Sequence, residues 1–369
     1  MTLPGKWKSE DILGLSLVKN LSFKTVRNIV ENYSSLDDAL YSLKQNEIKA
    51  LFSQEVLFNP KEIIDSKLIE EQLIAAEKKG AKIITYWDDN FPILLKAIEY
   101  PPIVLYVWGE LHGSNCPIIS IVGTRHCTTY GRLAAEKFAK YFAKKGIIIC
   151  SGLAYGIDTI SHLSVIEAKG ITYSVIASGL NLLSPAISVR NAEKIVETGG
   201  AIISEYPFGI VARTGYFPQR NRIISGMAKA VLVVESGLKG GALITARFAF
   251  DQGREVFAVP GEISSEKSKG TNMLIKKNIA AIAVSPEDML IELGLGEADI
   301  KLISEQKPVY SLNPQEAILL NLLDNKPKQI DEITRESGFT SQDTLVLLLN
   351  MEFMELIRQL PGKNYIKYD

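Results

Sequence analysis

The segment FPQRNRIISG at residues 217–226 sets an aromatic ring beside paired guanidinium groups: Phe217 is followed by Arg220, Asn221 and Arg222, with Arg213 just upstream. A flat apolar ring can receive an unstacked nucleobase while arginines grip phosphate oxygens, so this pairing suits single-stranded nucleic acid. Stacking contributes on the order of 1–3 kcal/mol per base, enough for one platform and several phosphate contacts to give useful affinity. The competing interpretation is a structural arginine network at a helix start.

Other turns carry anion chemistry. In IISIVGTRHC the small residues Gly123 and Thr124 open backbone N–H groups towards an anion at a helix start, and Arg125 adds a bidentate fork. CSGLAYGIDTISH places Gly152, Tyr155 and Gly156 before a helix, and its Asp158 and His162 read as capping and core residues rather than catalysts. ESGLKGGALITARFA puts Lys239, Gly240 and Gly241 at another helix start, and VPGEISSEKSKGTNMLI adds Lys267, Lys269, Gly270, Thr271 and Asn272. None of these is a dinucleotide GxGxxG fingerprint or a GK[ST] loop for ATP, and no GxSxG elbow for a serine nucleophile occurs. Four such turns on one edge call for an extended anionic ligand rather than a single nucleotide. No catalytic residue and no cofactor is expected.

The elements that must position these turns follow from hydrophobic patterning. From Ala81 onward, short Ile/Val-rich runs alternate with amphipathic segments: AKIITYW, IVLYVWG, IISIVG, IIICSG, TYSVIASG, AIISEY, AVLVVES, EVFAVPG and AIAVS. Runs apolar on both faces predict an α/β fold, a Rossmann-like, doubly wound and mostly parallel sheet with ligands at its carboxyl edge. Residues 1–75 lack strand-like runs and read as a small helical domain of helix-hairpin-helix or SAM-like type, without the hairpin glycines of a phosphate binder. The predicted organisation is thus a helical domain at 1–75, the sheet domain at 76–292, a linker at 293–312 and a winged helix at 313–369.

Composition narrows the class further. A net charge of −1 leaves no global positive field, so nucleic-acid affinity must come from a local basic patch. Three cysteines, Cys116, Cys127 and Cys150, are an odd number without CxxC spacing, which predicts reduced thiols rather than a disulfide framework or zinc site. His112 with Cys116, and His126 beside Cys127, have no second ligand pair, so no metal is expected. The apolar runs are too short for a membrane span and no signal peptide is evident, which points to the cytoplasm.

The ordered blocks IVGTR, SGLAYGIDTISH, ASGL, ISEYPFG, FPQRNRIISG, VVESGLKGGALITARFA, GREVFAVPG and GTNMLI resemble the bacterial DNA-processing protein A family, also called the Smf (DprA/Smf) family, from about Ala81 to Leu290. The resemblance implies a single-stranded DNA-binding protein that protects incoming strands, dimerises through its Rossmann-like domain and loads the recombinase RecA in natural transformation. It assigns the DNA pocket to Gly123, Thr124 and Arg125 and the FPxRNR block to Phe217, Arg220, Asn221 and Arg222. Tyr155 stands where a basic residue is common, and can stack on a base instead. Two other classes compete. A phosphoribohydrolase on a similar sheet would need a glutamate after its paired glycines, which LKGGALITARF lacks. A winged-helix transcriptional regulator would need a basic reading helix, whereas TSQDTLVLLLNMEFMEL carries Asp343, Glu352 and Glu355 and no lysine or arginine. That module is therefore expected to contact protein or regulate the chain, not to read duplex DNA.

Overall fold

The computed structural model describes residues 3–19, 21–43, 64–112, 116–183, 186–295, 313–324, 327–353, 356–360 and 362–367. The expected linker at 293–312 falls, beyond residue 295, outside the described residues. The chain divides into two compact units, Met1–Ser304 and Glu305–Asp369.

Each of the nine expected runs in the first unit forms a strand of one sheet, in the order β1-β2-β6-β5-β4-β3-β7-β8-β9. The ranges are β1 Ala81–Thr85, β2 Val104–Gly109, β3 Ile118–Val122, β4 Ile148–Ser151, β5 Thr172–Val175, β6 Ala201–Ser204, β7 Ala230–Val233, β8 Glu255–Ala258 and β9 Ala281–Ile282. The pairs from β6 through β9 are parallel, whereas β1 pairs antiparallel with β2 and β2 antiparallel with β6. Two cores follow from the period of two along each strand. Ile119, Ile121, Ile149 and Leu232 face a layer containing Phe138 and Phe142 of the helix Thr129–Lys144. Val122, Cys150, Val175 and Val231 face the other layer, with Ile223, Ile224 and Met227 of the helix Tyr216–Met227.

The N-terminal helices Ser9–Leu17, Phe23–Asn32, Leu36–Leu43 and Ser66–Lys79 share a third core with the antiparallel end of the sheet, where Ile12, Leu13, Val26 and Ile29 are buried with Trp87, Val104 and Tyr106. The fourth helix runs across residue 75, so the helical segment and the sheet meet through a continuous element. In the second unit, helices Pro314–Leu322, Ile330–Ser337 and Ser341–Phe353 pack with a three-stranded sheet in the order β10-β12-β11. The expected hairpin is β11 Ile357–Leu360 with β12 Asn364–Lys367; the two-residue strand β10 Lys328–Gln329 is too short to carry a readable period. Among the described residues no helix is long and apolar enough to cross a membrane, and no three His, Cys, Asp or Glu side chains group closely enough to hold a metal ion.

Candidate nucleic-acid interface

Chain order runs β3-β4-β5-β6 in one direction and then returns to β7-β8-β9 on the other side of β3, so the strand order reverses between β3 and β7. The carboxyl ends of these parallel strands form one rim. On it, a pocket of about 190 Å³ is lined by Arg125 after β3, Gly152 to Tyr155 after β4, Ile176 to Ser178 after β5, and Phe217 and Arg220 from the helix Tyr216–Met227. Arg125 and Phe217 meet directly: the guanidinium carbon sits 5.6 Å from the ring centroid. Phe217 is 36% and Tyr155 53% exposed, so two aromatic faces at this mouth remain open to a base.

The loop bearing Arg125 is held from both sides. The Thr124 N–H donates to the Glu235 carbonyl at 2.8 Å, and the Thr124 carbonyl accepts the Ile157 N–H at 3.3 Å. Gly156, at φ +78°, permits this approach, since a Cβ there would lie 2.3 Å from the Thr124 carbonyl oxygen. Gly123 serves packing instead of opening the backbone to an anion: a Cβ would stand 2.5 Å from the Ile157 side chain. Nor is the Thr129–Lys144 helix start vacant, because the Glu235 carboxylate already bonds Thr128 there. Gly123 and Thr124, expected as a phosphate cradle, are held by these contacts as a rigid mount for Arg125.

The RNR segment divides. Arg220 is 5% exposed and donates through Nη1 to the Gly152 carbonyl at 2.7 Å and to the Val175 carbonyl, tying the β4 and β5 turns together beneath the pocket. Burial lowers its pKa, and the nearby Asp158 carboxylate opposes that shift. Arg222 is ion-paired with Glu205, both largely buried, so its charge is neutralised within the fold. Both arginines were expected to grip phosphate; here Arg220 forms the floor of the pocket and Arg222 is paired with Glu205. Asn221 is half-buried between them. The arrangement also contains aromatics the sequence reading passed over. Tyr206 stacks on Tyr216 at 4.4 Å, and the Arg213 guanidinium lies 6.0 Å from the Tyr216 ring.

The two remaining turns share the rim without lining this pocket. Lys239 is exposed and Gly241 open, but Gly240 is needed because a Cβ would stand 2.1 Å from the Ser236 hydroxyl. Lys269 is ion-paired with Glu266, Thr271 is buried with its hydroxyl on the Ser268 carbonyl, and Asn272 clamps Gly261 through both its amide atoms. Lys269, Thr271 and Asn272, expected as phosphate ligands, thus all make contacts within their own loop.

Below the pocket, Asp158 and His162 are buried, and the Asp158 carboxylate accepts the Ala154 N–H at 3.4 Å. His162 Nδ1 lies 2.7 Å from the Thr172 hydroxyl, and burial, with the Arg220 charge, lowers its pKa to about 3. From about pH 6.5 down towards 3 the unfolded chain thus binds a proton the folded protein refuses, and acidification through that window costs stability. Replacing His162 by Gln is expected to flatten the fall of the denaturant midpoint from pH 7 to about 4; an unchanged profile would show that other groups set it. The three thiols are free, and burial pushes Cys150 up to about 12.

Residues 82–294 match the family DNA recombination-mediator protein A, and residues 304–363 match the DprA winged helix domain. The chain is 35% identical to Protein Smf of Escherichia coli K12 over 301 residues, 80% of either chain. It superposes on the X-ray structure of DNA processing protein A from Streptococcus pneumoniae with a TM-score of 0.65 at 29% identity, covering 79% of this chain and 99% of that one. A Helicobacter pylori DNA processing protein A, described for its single-stranded DNA binding mode, matches with a TM-score of 0.52 at 25% identity, covering 58% and 96%. The nine-stranded sheet, the ordered motifs along its rim and the winged helix together place this chain in the DNA recombination-mediator protein A (DprA/Smf) family.

Proposed function

We propose that this protein binds single-stranded DNA across the carboxyl ends of β3, β4 and β5, with phosphate at Arg125 and a nucleobase against Phe217. The observation that carries the reading is the Arg125 guanidinium 5.6 Å from the Phe217 ring at the mouth of the pocket. A cation and an aromatic face at one opening recognise the two features every nucleotide of a single strand presents, whatever its sequence. Paired bases in a duplex cannot reach such a pocket without unstacking, which favours single strands. The single-stranded DNA binding of the Helicobacter pylori relative supports the same assignment.

The wider role is a non-enzymatic one in the cytoplasm, in which the protein protects a strand and delivers it to RecA; the recombination-mediator family name supports a part in recombination. Dimerisation through the Rossmann-like domain is part of this proposal. Apolar side chains exposed at one end of the sheet favour it, namely Ile282 of the edge strand β9, Val284, and Ile291 of the helix Pro286–Glu292. The winged helix is assigned no share in strand binding, since its third helix exposes Leu345, Val346 and Leu349 instead of basic side chains.

Anisotropy titrations with single-stranded and duplex DNA of one sequence test this assignment, using the full chain and a chain ending near Pro308. Both proteins are expected to prefer the single strand by at least about tenfold, on the strength of one stacked base. Equal affinity for duplex, or loss of binding in the shortened chain, would contradict the proposal.

A further inference from the structure

Doubly wound sheets commonly seat a ligand phosphate where their strand order reverses, against the N-terminus of the first crossover helix. In this protein a side chain holds that seat. The Glu235 carboxylate, just beyond β7, accepts the Thr128 N–H at 2.9 Å and the Thr128 hydroxyl, at the start of the helix Thr129–Lys144. Glu235 is 2% exposed. Gly131 makes the room, because a Cβ at that position would lie 2.3 Å from the carboxylate carbon. The Glu235 carbonyl meanwhile accepts the Thr124 N–H, so one residue both fills the seat and anchors the loop that carries Arg125.

We propose that Glu235 is an internal phosphate surrogate that closes the β3–β7 switch point to free phosphate groups and leaves the Arg125–Phe217 pocket as the anion site of this rim. A tethered carboxylate loses no translational freedom on entering the seat, whereas a free anion does. Its negative charge repels a second anion at hydrogen-bond range. The seat is thereby satisfied at all times. This goes beyond strand binding, since it concerns what the neighbouring seat refuses.

The test follows the thermal midpoint of the full chain, wild type and Glu235→Ala, as inorganic phosphate replaces chloride at constant ionic strength. The wild-type midpoint should shift only by what binding at Arg125 and the general stabilising effect of phosphate supply, and Glu235→Ala should shift by more. Glu235→Ala should melt lower than wild type and regain about 2–4 °C when phosphate reaches roughly ten times its dissociation constant. Glu235→Asp, whose shorter side chain draws the carboxylate away from Thr128, provides the same comparison with a smaller shift if the alanine variant does not fold. A wild-type shift equal to that of the variants, or variants indifferent to phosphate, would overturn the proposal. Because no DNA enters the assay, its failure is distinguishable from failure of the strand-binding proposal.

Discussion

Arg220→Ala is expected to destabilise the sheet unit by about 3–5 kcal/mol, the range observed when one member of a buried charged network is removed. The substitution strands the Gly152 and Val175 carbonyls beneath the pocket and leaves the buried Asp158 without its neighbouring positive charge. Burial already raises the Asp158 pKa, and Arg220 is the largest influence opposing that rise. Gly152→Ala should reproduce much of the loss from the other side, since its Cβ would stand 2.2 Å from Arg220 Nη1. Denaturant midpoints read the effect. A phosphate ligand on the surface would give a different pattern, with affinity reduced and stability within about 0.5 kcal/mol of wild type. That pattern would contradict the floor role.

Arg125→Ala is expected to lower affinity for single-stranded DNA by about 10- to 100-fold, as the loss of a charge-assisted phosphate contact worth about 1.5–3 kcal/mol implies. The change should barely alter stability, because the Arg125 side chain is exposed and its loop is held by backbone bonds at Thr124. One fewer phosphate neutralised should also make the dependence of log affinity on log salt shallower by about 0.7, the increment for a single strand. Phosphate contact and base stacking separate here. Removing the Phe217 ring should cost affinity while leaving the salt slope as it was, because stacking releases no counterions. An Arg125→Ala variant that binds as tightly as wild type at every salt concentration would remove Arg125 from the interface.

Much of the fold can be read in the sequence because its parallel strands are buried on both faces and so stand out as continuous Ile/Val runs. β3 IISIV and β7 AVLV are examples, whereas the antiparallel, half-exposed β1 and the exposed two-residue β9 stood out only within longer apolar runs. The antiparallel placing of β1 and β2 beyond β6 was not legible, since strand order depends on long-range pairing rather than local period. In the site, Arg125 and Phe217 were recognisable by type and the structure brings them together. The roles within RNR were not. Arg220 lies three residues after Phe217 and Arg222 five, so helical spacing turns the two guanidinium groups to different sides of one helix. Only the third dimension shows that Arg220 meets the β4 and β5 turns while Arg222 meets Glu205. The partnership of Thr128 with Glu235 spans 107 residues and leaves no local trace.

The central claim is that a nucleobase of a single strand lies against Phe217 at the Arg125 pocket. Ultraviolet crosslinking of oligothymidine to the full chain, followed by peptide mapping, tests it most directly, because a stacked ring and base are held in reactive contact. The account predicts adducts on the peptide containing Phe217 and on that containing Tyr155, with the Phe217 adduct lost in a Phe217→Leu variant. Adducts confined to residues 313–369, or to the N-terminal helices, would contradict it.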